Sequence, residues 1–203
     1  DNYPENKTEE IDIDINPSKP EKGKRAVTFS REIFIEQDDF MLDPPSKYFR
    51  LCPQKEVRLK SAYYIKYASH ETDENGNITA VHCTYDPESY GGDTKDGRKV
   101  KGTLHWVNAN NCINAEVRLY DRLFNVPNPS DEEGVTSFAD NLNPDSLKIL
   151  NGCKLDKSLG GVKAGDTFQF MRQGYFCVDT DSTADRLVFN RTVALKDSFA
   201  KKA

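Results

Sequence analysis

No run of this sequence approaches 18 apolar residues, so no membrane-spanning helix is expected. The first residues are acidic and polar and lack the graded pattern of a secretory signal. The five cysteines (Cys52, Cys83, Cys112, Cys153 and Cys177) form no C-x-x-C pair, and no histidine stands at metal-ligand spacing. That argues against a zinc site or a disulfide framework and suits a reducing cytosol. Enzyme signatures are missing too: there is no G-x-x-x-x-G-K-[ST], no G-x-G-x-x-G after a strand, no H-E-x-x-H and no G-x-S-x-G. His70, His82 and His105 lie far apart in sequence, and each reads as a structural residue. Carboxylates are plentiful but loop-bound, so they single out no acid–base pair. The N-x-[ST] triplets at Asn6, Asn77 and Asn190 read as chance matches.

What the chain does have is 203 residues, enough for one large domain or two small ones. Apolar residues make up 36%, which is low, but 11 Phe, 9 Tyr and recurring Val, Ile and Leu place it above a disordered composition. The net charge of −5 is spread unevenly. Residues 45–67 carry Lys47, Arg50, Lys55, Arg58, Lys60 and Lys66 against Glu56 alone. A second basic run, Lys95, Arg98, Lys99 and Lys101, is offset only by Asp96. Residues 71–90 and 127–146 are acidic, the latter through Asp131, Glu132, Glu133, Asp140 and Asp145. A polyanion responds to the local field and not to the total, so the basic stretches remain candidates for nucleic acid, with solvated faces as the plainer alternative.

Short strands and turns dominate the pattern. Ile11, Ile13 and Ile15 alternate with Asp12 and Asp14 before Asn16–Pro20 breaks the run. No Met and no capping element precede this strand, so the chain is expected to begin inside something larger. Ile33 and Ile35 suggest a second strand, and Val57, Leu59, Tyr63, Ile65 and Tyr67 share one parity of a long third. Asn75-Gly76 predicts a hairpin turn into Ile78–Tyr85. Further strands are expected at Val100–Val107, Glu116–Phe124, Ser146–Leu150, Thr167–Phe170, Tyr175–Val178 and Arg186–Leu195, with short helices near Asp38–Leu42 and Asn108–Asn114. The spacing predicts an all-β chain of β-barrels; a barrel at residues 39–116 inserted into another built from residues 1–38 and 117–203 fits the pattern without being forced by it.

Two segments carry candidate chemistry. In K-E-V-R-L-K-S-A-Y-Y-I-K, a single strand puts Val57, Leu59, Tyr63 and Ile65 on a core face. Arg58, Lys60, Tyr64 and Lys66 then fall on the outer face. Cations can hold phosphates and base edges, and rings can stack on splayed bases. An ordinary solvent face with basic side chains is the alternative. In F-Q-F-M-R-Q-G-Y-F, Gln169 and Arg172 are three apart, and a bulge or turn at Gly174 brings them to one side. Both residue types read base edges through paired hydrogen bonds. The alternative is a hairpin end with exposed polar residues.

Six ordered motifs turn these hints into a family resemblance. They are R-E-I-F-I-E-Q-D-D-F, K-E-V-R-L-K-S-A-Y, D-G-R-K-V-K-G-T-L-H-W-V, V-R-L-Y-D-R-L-F-N-V-P-N-P, F-Q-F-M-R-Q-G-Y-F-C and V-F-N-R-T-V. Together the chain resembles the C-terminal region of glutaminyl-tRNA synthetases, class I aminoacyl-tRNA synthetases, from about Ile15 onward. K-V-K-G-T-L-H-W-V and R-L-Y-D-R-L-F also look like glutamyl enzymes of the archaeal and eukaryotic type, while K-E-V-R-L-x-x-A-Y, Q-F-x-R-x-G-Y-F and F-N-R-T together favour the glutaminyl branch. The resemblance implies a two-barrel anticodon-binding region. In the family, ATP-dependent ligation of glutamine to tRNA belongs to an upstream Rossmann module with H-I-G-H and K-M-S-K-S-like signatures, neither of which occurs here. It therefore implies no catalytic residue, cofactor or metal in this chain, with ATP and magnesium used by the full-length enzyme.

Carried over residue by residue, Arg50 matches the arginine that reads the third anticodon base, a guanine. Arg58 and Lys60 match the basic pair at the first base, and Gln169 and Arg172 match the pair at the central uridine. Ser18 and Lys19 lie where the family makes further anticodon-loop contacts. Lys60 replaces an expected Arg, Ser18 an expected Asn, and Lys47 and Phe49 more polar, basic surroundings. A further family arginine falls upstream of residue 1. The implied partners are the anticodon loop of glutamine tRNA and the protein's own catalytic domain, in a cytoplasmic monomer that binds neither membrane nor DNA. Rival readings are a glutamyl-type region and a protein-docking β module. An autonomous enzyme is disfavoured by the missing motifs.

Overall fold

A computed structural model of the chain describes residues 1–92, 94, 96–130 and 137–195. Lys95 of the second basic run and Asp131, Glu132 and Glu133 of the acidic loop lie outside the described residues. Among the described residues, thirteen strands joined by turns and short 3-10 segments make the all-β class plain. Contacts divide the chain into two units, Asp1–Cys112 and Ile113–Ala203.

In the first unit, β1 (Glu9–Asp14) pairs antiparallel with β2 (Lys24–Phe29), and β3 (Ile33–Phe34) pairs with the later β8 (Val107–Asn108). The remaining strands are β4 (Glu56–Leu59), β5 (Tyr64–Thr72), β6 (Ile78–Asp86) and β7 (Thr103–Leu104), in the order β6-β5-β4-β7. The alternation of Ile and Asp in β1 has a direct consequence: Ile11 is buried and Ile13 half-buried, while Asp12 and Asp14 are exposed. Ile11 and Phe29 pack with Val57, Leu59, Tyr63 and Leu104. Phe29 meets Trp106 edge to face at 4.9 Å, a favoured aromatic arrangement. Buried Asn108 donates to the Thr28 carbonyl at 3.1 Å and to Ser30 Oγ at 3.0 Å, so β8 is tied to β2.

These contacts differ from the expected joining of residues 1–38 with 117–203 around 39–116. The apolar faces of β1 and β2 complete the core of the first unit, and that union sets the division. The helix expected at Asn108–Asn114 is a turn, closed by the Asn111 N–H on the Asn108 carbonyl, that leads into strand. Near Asp38–Leu42 the helix is a single 3-10 turn, Gln37–Asp39.

The single long strand expected over residues 57–67 is a hairpin. Ser61 adopts a φ of 58° and reverses the chain between β4 and β5, which pair Val57 with Ile65 and Arg58 with Tyr64. Directly opposed residues share a face, so the expected grouping of alternate residues survives the reversal. The Asn75-Gly76 turn is present as expected. Gly76 has φ 79°, and the Asp73 carboxylate accepts from the Asn75 and Asn77 N–H groups at 2.9 and 2.8 Å.

The second unit is a five-stranded sheet in the order β10-β9-β13-β12-β11. Its members are β9 (Cys112–Tyr120), β10 (Leu147–Asp156), β11 (Thr167–Phe170), β12 (Gly174–Val178) and β13 (Leu187–Ala194). Its core gathers Val117, Phe176, Val178, Leu187 and Phe189, and Phe170 stacks on Phe176 at 4.3 Å. The parallel β9–β13 pair is fastened by charge. Arg118 reaches Glu116 at 2.7 Å and Asp181 at 2.8 Å, and Arg186 reaches Glu116 at 2.6 Å.

This cluster makes the stability of the second unit acid-sensitive. Arg186 and Arg118 hold the Glu116 carboxyl below its ordinary 4.5. The Asp181 N–H and the Asn190 side chain lower that of Asp179. A carboxyl with a lowered folded-state pKa stabilises fully above its unfolded value, and that contribution is lost as pH falls through the folded value. Melting followed by circular dichroism is therefore expected to be flat with pH above about 5 and to fall steadily below about 4. Glu116→Gln should melt lower at neutral pH and show a shallower acid fall.

Candidate nucleic-acid interface

The β4–β5 hairpin and the loop before β7 build a pocket of about 450 Å³ whose lining includes Arg58, Tyr64, Arg98, Lys99 and Lys101. Tyr64 is its organising residue. It is buried, its hydroxyl donates to the Gly92 carbonyl at 2.6 Å, and that same oxygen accepts from Arg58 Nη2 at 2.9 Å. The guanidinium carbons of Arg58 and Arg98 lie 5.3 and 5.4 Å from its ring centroid, within cation–π range. Arg98 is fixed by three carboxylates: Glu56 at 2.8 Å, Asp86 at 2.5 Å and Asp96 at 2.7 Å. Arg98 keeps the Asp86 carboxyl below its usual range, and the three acids push the Arg98 guanidinium up. Arg98 is thus largely neutralised. Arg58 is bound through a neutral phenol and keeps its net charge for a ligand.

Tyr64 is consequently not the exposed stacking ring expected from alternation, because the aromatic is consumed in holding Arg58. Lys66, opposite Glu56, is exposed. Lys60 sits half-buried at the turn, with its N–H donating to the Leu104 carbonyl at 2.9 Å and its own carbonyl accepting from Trp106 Nε1 at 3.0 Å. Those bonds pin the backbone of Lys60 two residues from Arg58.

Arg50 lies in the loop before β4. Its Nε meets buried Asp39 at 3.0 Å and its Nη1 donates to the Phe49 carbonyl at 3.0 Å. Its neighbour Phe49 is 46% exposed. Ser18 and Lys19 occupy the exposed turn between β1 and β2; the Ser18 N–H bonds Asn16 Oδ1 at 2.9 Å and the Lys19 N–H the Asn16 carbonyl at 2.9 Å. The first unit therefore brings Arg58 and Tyr64 together with Arg98, whose anchoring role its place in a basic run did not reveal.

Gln169 and Arg172 belong to the second unit. Gln169 is exposed on β11, opposite Tyr175 of β12, and Arg172 stands at the tip of the connecting turn with φ 64°. The Gln173 N–H closes that turn on the Phe170 carbonyl at 3.0 Å. The turn anticipated at Gly174 is thus present, with a register shift between Tyr175 and Phe176 in the pairing of β12 with β13.

Elsewhere among the described residues, His70, His82 and Glu9 are held by neighbouring side chains. His70 bonds the Tyr67 hydroxyl at 2.7 Å, and His82 lies between Asp1 and Glu71. Glu9 accepts from both Tyr3 and Tyr63 at 2.8 Å. Burial works against its charge, yet the two phenols and Lys7 hold its pKa below the usual value. Among the described residues no three His, Cys, Asp or Glu side chains are grouped as metal ligands. No described helix is long and apolar enough to cross a membrane.

Two family models with the same description cover successive parts of this chain, residues 1–86 and 103–179. The chain belongs to the anticodon-binding domains of the class I tRNA synthetases, E and Q. Among its relatives are proteins named glutamine–tRNA ligase. That of Clostridium perfringens is 52% identical across 99% of this chain, that of Vibrio parahaemolyticus 51% across 98%, and that of Nitrobacter winogradskyi 48% across 100%. The chain spans about a third of the length of these relatives: 36%, 35% and 35%.

Proposed function

We propose that this chain recognises the anticodon loop of glutamine tRNA as the anticodon-reading part of a cytoplasmic, monomeric glutamine–tRNA ligase. The observation that carries the reading is near-half identity, over almost its whole length, to proteins of that name, within a family of anticodon-binding domains. The geometry supports it, because Arg50 and Arg58 are each held by a neighbouring side chain in or beside exposed loops. In this reading the bases are unstacked and held separately, while Lys and Arg neutralise adjoining phosphates. Arg50 reads the third base, Arg58 and Lys60 the first, Gln169 and Arg172 the central one, and Ser18 and Lys19 touch the loop. The complete protein ligates glutamine to its tRNA with ATP and magnesium. That chemistry is assigned to the catalytic module, whose signatures this sequence lacks. The glutaminyl reading is preferred to the glutamyl one because these relatives carry the glutamine name.

A salt titration tests the reading. Three to five phosphate contacts, at about 0.7 in log–log slope per phosphate on single-stranded RNA, give a slope of roughly 2–3.5 for an anticodon stem-loop. A salt-independent affinity would remove the basic surface from the interface.

A further inference from the structure

We propose that Phe49 is a stacking platform for an unpaired base of the anticodon loop, with Lys55 and Lys101 placed to meet the adjoining phosphates. The inference rests on the functional reading above and adds a contact that charge alone does not supply. Phe49 is 46% exposed, within a stretch whose other conspicuous side chains are cationic. Two ammonium groups converge on it: Lys55 Nζ lies 5.7 Å and Lys101 Nζ 5.9 Å from the ring centroid. An exposed aromatic residue with cations drawn to its ring supplies the two kinds of group that hold single-stranded nucleic acid, a ring for the base and cations for the backbone.

The platform is also preorganised. The Phe49 carbonyl accepts from Arg50 Nη1 at 3.0 Å. On its other side it packs so closely against Gly102 that a Cβ there would lie 2.7 Å from it. Lys55 donates to the Tyr48 carbonyl at 2.6 Å, and the Tyr48 hydroxyl donates to the Asp38 carbonyl at 3.0 Å. The segment 48–50 is therefore fastened on three consecutive residues, and little ordering is left for binding to demand. Lys101 belongs as well to the lining of the Arg58 pocket, so one cation is shared by the ring and that pocket. A base stacked on Phe49 is thereby placed beside the arginine assigned to the third base.

The test uses the 203-residue chain and a glutamine-tRNA anticodon stem-loop at one fixed salt concentration. Phe49→Leu is expected to weaken binding roughly 5- to 150-fold, the usual cost of removing one base–aromatic stack. Phe49→Trp is expected to bind as the unsubstituted chain does, with its indole emission quenched on saturation. The chain's one native tryptophan, Trp106, is 4% exposed, and the unsubstituted chain supplies its background. Equal affinity of Phe49→Leu, or Phe49→Trp binding without quenching, overturns the stacking role and leaves the functional reading standing. Failure of the unsubstituted chain to bind the stem-loop overturns both. Should Phe49→Leu lose thermal stability, the quenching of Phe49→Trp decides alone.

Discussion

Gly174→Ala is expected to destabilise the second unit by about 2–5 kcal/mol, from a strained backbone and a steric clash acting together. Gly174 has φ 145°, a conformation that side chains rarely adopt, and a Cβ there would lie 2.3 Å from the Val193 carbonyl oxygen. That oxygen belongs to the neighbouring strand β13 and cannot move aside as a flexible side chain would. The loss should appear as a lower urea midpoint with an unchanged slope, since the extent of surface exposed on unfolding stays the same. Binding at the central base should suffer with it, because Gly174 closes the turn that carries Arg172. A midpoint shifted by less than the error of measurement would mean that β12 and β13 separate there without cost.

Arg50→Ala is expected to cost about 1–3 kcal/mol in binding the cognate anticodon loop and to relax the choice of third base. A guanidinium can engage two acceptors on a guanine edge, where adenine offers one acceptor and one donor. Asp39 and the Phe49 carbonyl orient this guanidinium before any base arrives. Lys55→Ala makes the contrast. Its ammonium is bonded to the Tyr48 carbonyl and lies against the Phe49 ring, so its loss should weaken all loops alike. Stem-loops differing only in the third anticodon base, titrated with both variants at one salt concentration, separate the two roles. Equal weakening of guanine and adenine loops by Arg50→Ala would reduce Arg50 to a phosphate clamp.

Much of this architecture was legible because it depends on local pattern. Alternation located β1, and Asn75-Gly76 located the turn ahead of β6. The reversal at Ser61 was not legible, because a positive φ there falls on a residue type that does not advertise it. The even register of β4 on β5 nonetheless kept Arg58 and Tyr64 on a common face, as the single strand had grouped them. What alternation could not disclose was depth. Tyr64 is drawn inward by Gly92 and Ser89, which approach from a later segment of the chain. Pairings between distant residues stayed hidden for the same reason, including Arg50 with Asp39 and Arg98 with Glu56. The union of β1 and β2 with the Trp106 core, which divides the units at Cys112, depends on tertiary packing that no local pattern encodes.

The central claim is that this chain reads anticodon bases and does not merely attract RNA. Competition binding tests it most directly: a glutamine-tRNA anticodon stem-loop is set against one with the same stem and all three anticodon bases replaced, at a single fixed salt concentration. Base contacts of about 1–3 kcal/mol each predict a preference for the cognate loop well above tenfold. Equal competition by the two loops would contradict the account.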